Sequence, residues 1–233
     1  MLKIGIIGAM EQEVALLKER MEGASVKTMA DMDFYEGTLE GKPCVVVRSG
    51  IGKVNAAICT QILVDVFQVS AIMNTGIAGS LQAEIDIGDI VLSTDLVHHD
   101  MDAVGFGYSL GQIPGMREFS FEADEELRTL AAQACQEVNP DIHVFCGRIA
   151  SGDQFISSQE KKDYISQNFH ALCTEMEGAA IAQAAHLNHV PFLVIRAISD
   201  KADGSAHMDY ATFEKKAIEH SVRLTARLLR SLS

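Results

Sequence analysis

The stretch Pro191-Phe-Leu-Val-Ile-Arg196-Ala-Ile-Ser-Asp200 decides the fold. From Phe192 to Ile198 it is apolar without alternation, Arg196 apart, and it ends on Ser199 and Asp200. A strand with one wet face alternates apolar and polar side chains, whereas a strand covered on both faces reads as an unbroken apolar run. The stretch therefore predicts a central strand over 191–199 with helices above and below it. Similar runs lie at 3–8, 43–49, 71–75, 89–97 and 143–150. Helical patterns fall between them, at 10–22, 52–67, 124–138, 158–168 and 177–188. A last helix is expected at about 210–229, with its apolar stripe on Tyr210, Phe213, Ala217, Leu224 and Leu228. Segment 25–39 alternates and reads as a hairpin turning near 31–33. This alternation predicts an α/β protein: one domain over 1–233, a three-layer α/β/α arrangement around a mixed, largely parallel sheet. The one long aperiodic stretch, 100–121, is rich in Gly and has the character of a lid, an interface loop or a disordered segment.

Composition narrows the partners. The chain has 233 residues, 48% of them hydrophobic, enough for a sizeable core. Its formal net charge is −13 and Lys/Arg clusters are absent, which argues against nucleic acid. Five dispersed cysteines without C-x-x-C spacing read as reduced, packed thiols of a cytoplasmic protein. The apolar run at the N-terminus is too short for a signal peptide, and no run approaches a membrane span.

Two tempting motifs fail on mechanism. Gly50-Ile-Gly-Lys53 resembles a phosphate loop, but the earlier Gly and the following Ser/Thr are replaced by Val47 and Val54. The turn could still hold an anion or a polar ligand group at a helix N-terminus. His98 and His99 are adjacent at a strand end, so they face opposite sides and a polar strand end is the simpler reading than a metal site.

Three acids stand out by position. Glu13 follows Met10 by three residues and precedes Leu17 by four, on the flank of the buried helix face, where lost hydration would make it a better base. A rim glutamate reaching solvent is the alternative. Glu175 and Glu177 flank Met176 where a short strand meets a helix; the pair suits a vicinal diol, and either acid also suits a helix N-terminus. Asp200 ends the deciding strand, and open α/β sheets bind ligands outside the carboxyl ends of their strands; a helix cap or turn residue is the alternative. Buried Arg196 needs a partner, either an ion pair or a ligand.

Several segments carry a resemblance. Ile4-Gly-Ile-Ile-Gly-Ala-Met-Glu-Gln-Glu-Val14, Ser49-Gly-Ile-Gly-Lys-Val54, Asn74-Thr-Gly76, Ser151-Gly-Asp-Gln-Phe155, Glu175-Met-Glu177 and Arg196-Ala-Ile-Ser-Asp200 occur in this order. With Gly105-Phe-Gly-Tyr108 and Gly111-Gln-Ile-Pro114, the chain resembles the bacterial methylthioadenosine/S-adenosylhomocysteine nucleosidases along nearly its whole length. The resemblance implies a nucleoside phosphorylase-like fold, a homodimer, and hydrolysis of 5′-modified adenine nucleosides without metal or other cofactor. It implies that Glu13 activates water, that Asp200, held by Ser199 and with its pKa raised by desolvation, protonates adenine N7, and that an ionised Glu177 binds the ribose hydroxyls beside Met176. It further implies that Phe155 stacks on the purine and the Ile156 backbone reads its edge. Met10, Ile51, Gly79 and Tyr210 would line the nucleoside pocket, and Phe106 and Pro114 would complete the partner's site. Ile77 and Tyr210 depart from the family's usual Ser and Phe.

Phosphate-dependent cleavage is the rival reaction, and a non-catalytic nucleoside-binding module is a rival of another class. An acidic first loop, with Glu11 and Glu13, repels phosphate and favours water.

Overall fold

The structure, a computed structural model, describes residues 3–201 and 206–232, with backbone alone over 206–212. Strand β1 (Ile4–Gly8) leads into helix α1 (Glu11–Glu19) and a meander of β2 (Glu22–Met29), β3 (Met32–Leu39) and β4 (Lys42–Arg48). Then come α2 (Lys53–Asp65), β5 (Ala71–Ser80), β6 (Ile90–His98), the short β7 (Phe121–Glu122) and α3 (Glu125–Val138). The chain ends with β8 (Val144–Ser151), α4 (Gln159–Phe169), β9 (Cys173–Glu175), α5 (Gly178–Leu187), β10 (Phe192–Asp200) and α6 (Ala206–Ser231).

The expected mixed sheet is present. Its apolar centre is parallel: β1 lies between β4 and β5, and β10 runs beside β5. Antiparallel pairs enter where the chain returns through a hairpin, as in β2–β3–β4, or where β10 meets β6 and β5 meets β9. With β6–β8 and β8–β9 both parallel, strands β5, β10, β6, β8 and β9 pair around a closed circuit. Helices cover both faces, α1, α3 and α6 packing together on one side and α2 with α5 on the other. The deciding strand is fully buried along its length, as a strand between two helical layers must be.

Three of the boundaries that differ from the sequence reading have a physical reason. Helix α1 stops at Glu19 rather than 22, because Met21 packs on the core from the connecting turn and so prolongs the helical pattern. The hairpin turns at Ala30 and Asp31, both with positive φ (49° and 61°), which matches the twist of the flanking strands. Strand β5 runs past the expected 75 to Ser80, through Gly76 and Gly79, residues that ordinarily weaken a strand. They are instead points of close approach. A Cβ at 76 would lie 2.6 Å from Glu13 Oε1, and one at 79 would lie 2.8 Å from Asp200 Oδ2.

Loop 100–121 holds only a 3₁₀ turn at Val104–Phe106 before β7. All five thiols are unpaired, Cys146 being the exposed one. Among the described residues no helix is long and apolar enough to cross a membrane.

Ile6 is fully buried in β1, paired with Val46 and Met73 on either side. Ile6→Ala should cost about 2–5 kcal/mol of stability, read as a lower urea midpoint at unchanged slope.

Candidate active site

A cleft of about 400 Å³ opens at the carboxyl ends of β1, β5 and β10, within the usual range for small-molecule sites. Its lining is mainly apolar, with the acidic groups converging on it from separate elements.

Glu13 comes from the first turn of α1 and is 4% exposed. Its Oε2 accepts hydrogen bonds from the N–H groups of Ala9 (2.7 Å) and Met10 (2.9 Å), and Oε1 accepts from Ile77 N–H at 3.2 Å. The bond to Met10 is the reach-back by which an acid in this position caps a helix. Burial pushes the carboxyl pKa up, opposed by Arg196 and by those N–H groups. The Ile77 contact is made by backbone, so the family's usual Ser is not required for it.

Glu175 and Glu177 divide the two expectations between them. Glu175 is structural: its Oε2 meets Arg196 Nη2 at 2.5 Å and accepts from Glu177 and Gly178 N–H at 3.0 and 2.8 Å, capping α5, while Oε1 also takes the Ser151 hydroxyl. Arg196 thus finds an ion pair inside the protein, and its guanidinium also donates to Asn74 Oδ1. These partners hold Glu175 below the usual carboxylate range despite its burial. Glu177 faces the cleft, with Oε1 accepting Gly52 N–H at 2.8 Å. Burial, and then the charge of Glu175, push its pKa up to about 8. The resemblance implied an ionised group, and burial at this position works against ionisation. A protonated carboxyl can both donate to and accept from a diol.

Asp200 is 2% exposed, and its Oδ1 accepts from the Ser199 hydroxyl at 3.0 Å. Its other oxygen has a partner that sequence reasoning missed: Lys162 Nζ, 1% exposed, lies 3.1 Å from Oδ2. Lys162 sits in the polar run Glu160-Lys-Lys-Asp163, which reads as a wet helix face. Its spacing to buried Ile165 and Phe169 was the available signal, since i, i+3 and i+7 share one face.

The remaining expected residues divide as follows. Met10, Ile51, Gly79, Phe155, Met176 and Ser199 line the cleft, and Ile156 lines a small annex of about 40 Å³ beside Asp200. Ala78 and Thr174, which the sequence did not single out, also line it; the buried Thr174 hydroxyl has no partner among the described residues. Phe106 (87% exposed) and Pro114 lie on the surface and do not line this chain's cleft. The Tyr210 side chain lies outside the described residues.

The glycine turn before α2 is occupied from within. Gly52 N–H goes to Glu177 and Lys53 N–H to Asp153 (2.8 Å), while Lys53 Nζ pairs with Asp100 at 2.7 Å. His98 bonds Gln183 (3.0 Å). No group of three His, Cys, Asp or Glu side chains among the described residues is arranged to hold a metal ion.

Glu177 makes stability depend on pH. Its folded pKa of about 8 exceeds the ordinary 4.5, so the folded protein binds the extra proton between these values and loses stability as pH rises through them. Glu177→Gln, which keeps an acceptor for Gly52, should flatten the fall in Tm across that window; an unchanged slope would place the proton elsewhere.

A profile of the phosphorylase superfamily matches residues 3–231. The 5′-methylthioadenosine/S-adenosylhomocysteine nucleosidase of Anoxybacillus flavithermus is 43% identical over 233 residues, covering all of both chains. That of Halalkalibacterium halodurans is 44% identical over 230 residues, covering 98% of each. The crystal structure of the Neisseria meningitidis nucleosidase of the same name, in complex with methylthio-immucillin-A, superposes with a TM-score of 0.95 at 39% identity over the full length of both chains. The chain belongs to the phosphorylase superfamily and, within it, to the 5′-methylthioadenosine/S-adenosylhomocysteine nucleosidases, a family of N-glycosyl hydrolases.

Proposed function

We propose that the protein hydrolyses the N-glycosidic bond of 5′-methylthioadenosine, S-adenosylhomocysteine and 5′-deoxyadenosine, releasing adenine and the 5′-substituted ribose. The observation that carries this reading is one cleft with two buried carboxyl groups, Glu13 and Asp200, delivered by different elements.

Cleavage of such a bond builds positive charge on the ribose and negative charge on the departing base, as in glycoside hydrolysis. Glu13, more basic through burial, takes a proton from the attacking water. Asp200, fixed by Ser199, delivers a proton to adenine N7 so that the base leaves neutral. Glu177 binds the ribose hydroxyls with Met176 packed against the sugar. Phe155 stacks on the purine, the Ile156 backbone reads its edge, and Met10, Ile51, Gly79 and Tyr210 enclose the nucleoside.

Water rather than phosphate is the acceptor. The N–H groups that could cradle an anion before α2 already bind Glu177 and Asp153, and Glu13 adds acidity to the same mouth.

Two chains associate, in this proposal, through the face around α2 and α5, where Val54 is 69% and Leu187 60% exposed beside a groove of about 420 Å³. Phe106 and Pro114 then reach the neighbour's cleft. The whole chain, 1–233, works as one unit in the cytoplasm, where unpaired thiols persist, and serves methionine salvage.

Adenine should appear from 5′-methylthioadenosine in phosphate-free buffer; a requirement for phosphate would overturn the hydrolytic reading. Glu13→Gln and Asp200→Asn should each lower kcat by about 10²–10⁴-fold with the fold intact by circular dichroism, the range for removing a general acid or base. Phe106→Ala should raise KM with little change in kcat, in a protein whose mass by light scattering is that of a dimer.

A further inference from the structure

Lys162 has no reason to be buried for stability alone. An ammonium group loses hydration on burial, and an apolar side chain of similar length would serve the helix face better. Yet Nζ is placed 3.1 Å from Asp200 Oδ2, donates to the carbonyl oxygen of Lys201, and lies outside the lining of the cleft. It sits behind the carboxyl group, touching the acid without touching the ligand space. Helix α4 holds it there through Ile165 and Phe169, buried on the same face.

We propose that Lys162 is a positioning residue that shares one mobile proton with Asp200 and so keeps the purine-protonating group charged with a proton well into the alkaline range. This inference rests on the reading of Asp200 as the acid at the purine. The bookkeeping is simple. The resting pair is ammonium and carboxylate. As the bond from ribose C1′ to purine N9 breaks, its electron pair moves into the purine ring, and the Asp200 carboxylate takes a proton from Lys162 as it passes one on to N7. Water adds to C1′ and leaves its proton on Glu13. The neutral amine takes up a proton from solvent and Glu13 releases one, restoring both sites with no net change beyond hydrolysis. An ammonium group ordinarily holds its proton to higher pH than a carboxyl group does, so the pair has a reserve that a lone carboxyl group lacks.

The ionisable groups around the pair, among the described residues, are Glu13 on α1, Glu175 and Glu177 between β9 and α5, Arg196 on β10 and the Cys173 thiol on β9. Lys201, next along the chain, is paired with Asp86 at 2.5 Å. All of these persist when Lys162 is replaced, so the difference between variant and parent isolates the pair.

The test is the pH profile of kcat for Lys162→Met, on two substrates. One is 5′-methylthioadenosine. The other is a 5-methylthioribosyl 4-nitrophenyl ether, whose leaving group departs as a stable anion and needs no proton. On the nucleoside the alkaline limb should move about one pH unit lower, so that kcat near pH 8.5 falls roughly tenfold while kcat near pH 6 stays within about threefold. On the nitrophenyl substrate, kcat should stay within about twofold at both pH values. An unmoved limb, or equal loss on both substrates, would overturn the proposal, the latter marking Lys162 as merely structural. Lys162→Arg keeps a charge that does not deprotonate. It should fail to restore the alkaline limb, and restoration would show a fixed charge to be sufficient, overturning the shared proton. Asp200→Asn measured alongside separates the two readings. Turnover of the nucleoside by that variant would remove the acid and the proposal together; its loss on the nucleoside alone, with an unmoved limb in Lys162→Met, would remove only Lys162.

Discussion

A single buried guanidinium makes the acidic site possible. Arg196 and Glu175 are each almost wholly excluded from water and meet at 2.5 Å, and the same positive charge bears on Glu13 and Glu177. Glu13, Glu175, Glu177 and Asp200 border one apolar cleft, where carboxyl groups repel each other and lose hydration together. Arg196 holds Glu175 as the anion that caps α5, while burial pushes the pKa of Glu13 and of Glu177 up. Asn74 and Ser151 add hydrogen bonds to the ion pair at that depth, while Arg196 Nε finds no partner among the described residues. The position of Arg196 in the most apolar strand of the chain therefore follows from the electrostatics of the cleft, which needs a cation beneath it.

Around that charge the backbone is arranged for close approach. Gly76 and Gly79 place bare Cα atoms against the carboxyl groups of Glu13 and Asp200, and both glycines lie in β5, between β1 and β10. The acids can sit over the strand ends because the central strand gives up its side chains there. The short connection after β1 then brings α1 to the mouth at which the deciding strand ends.

Much of this was legible in the sequence because burial on both faces writes itself as unbroken apolar runs, and the strand and helix positions followed from that pattern. Glu13 and Asp200 stood out for the same reason, as acids where periodicity demanded apolar residues or a strand end. The ordered motifs then carried the family. What stayed hidden was pairing in space. Glu175 and Glu177 are equivalent on paper, and only the arrival of Arg196 from β10 and Gly52 from another turn separates an anchor from a cleft-facing group. Lys162 was masked by the charged residues beside it, whose exposure on the same helix overwhelms a three-residue apolar signal. Strand β5 looked shorter than it is because its glycines serve side chains that arrive from far along the chain.

The glycine turn before α2 has a consequence for how such folds diverge. Its two N–H groups are satisfied by Glu177 and Asp153, which belong to separate stretches of chain. Any lineage moving from water towards an anionic co-substrate would have to vacate both positions, because clearing one leaves the other carboxylate facing the newcomer. Each intermediate would lose one of these hydrogen bonds before gaining anything. The turn is thus filled by two residues distant in sequence, which must change together before an anion could take their place.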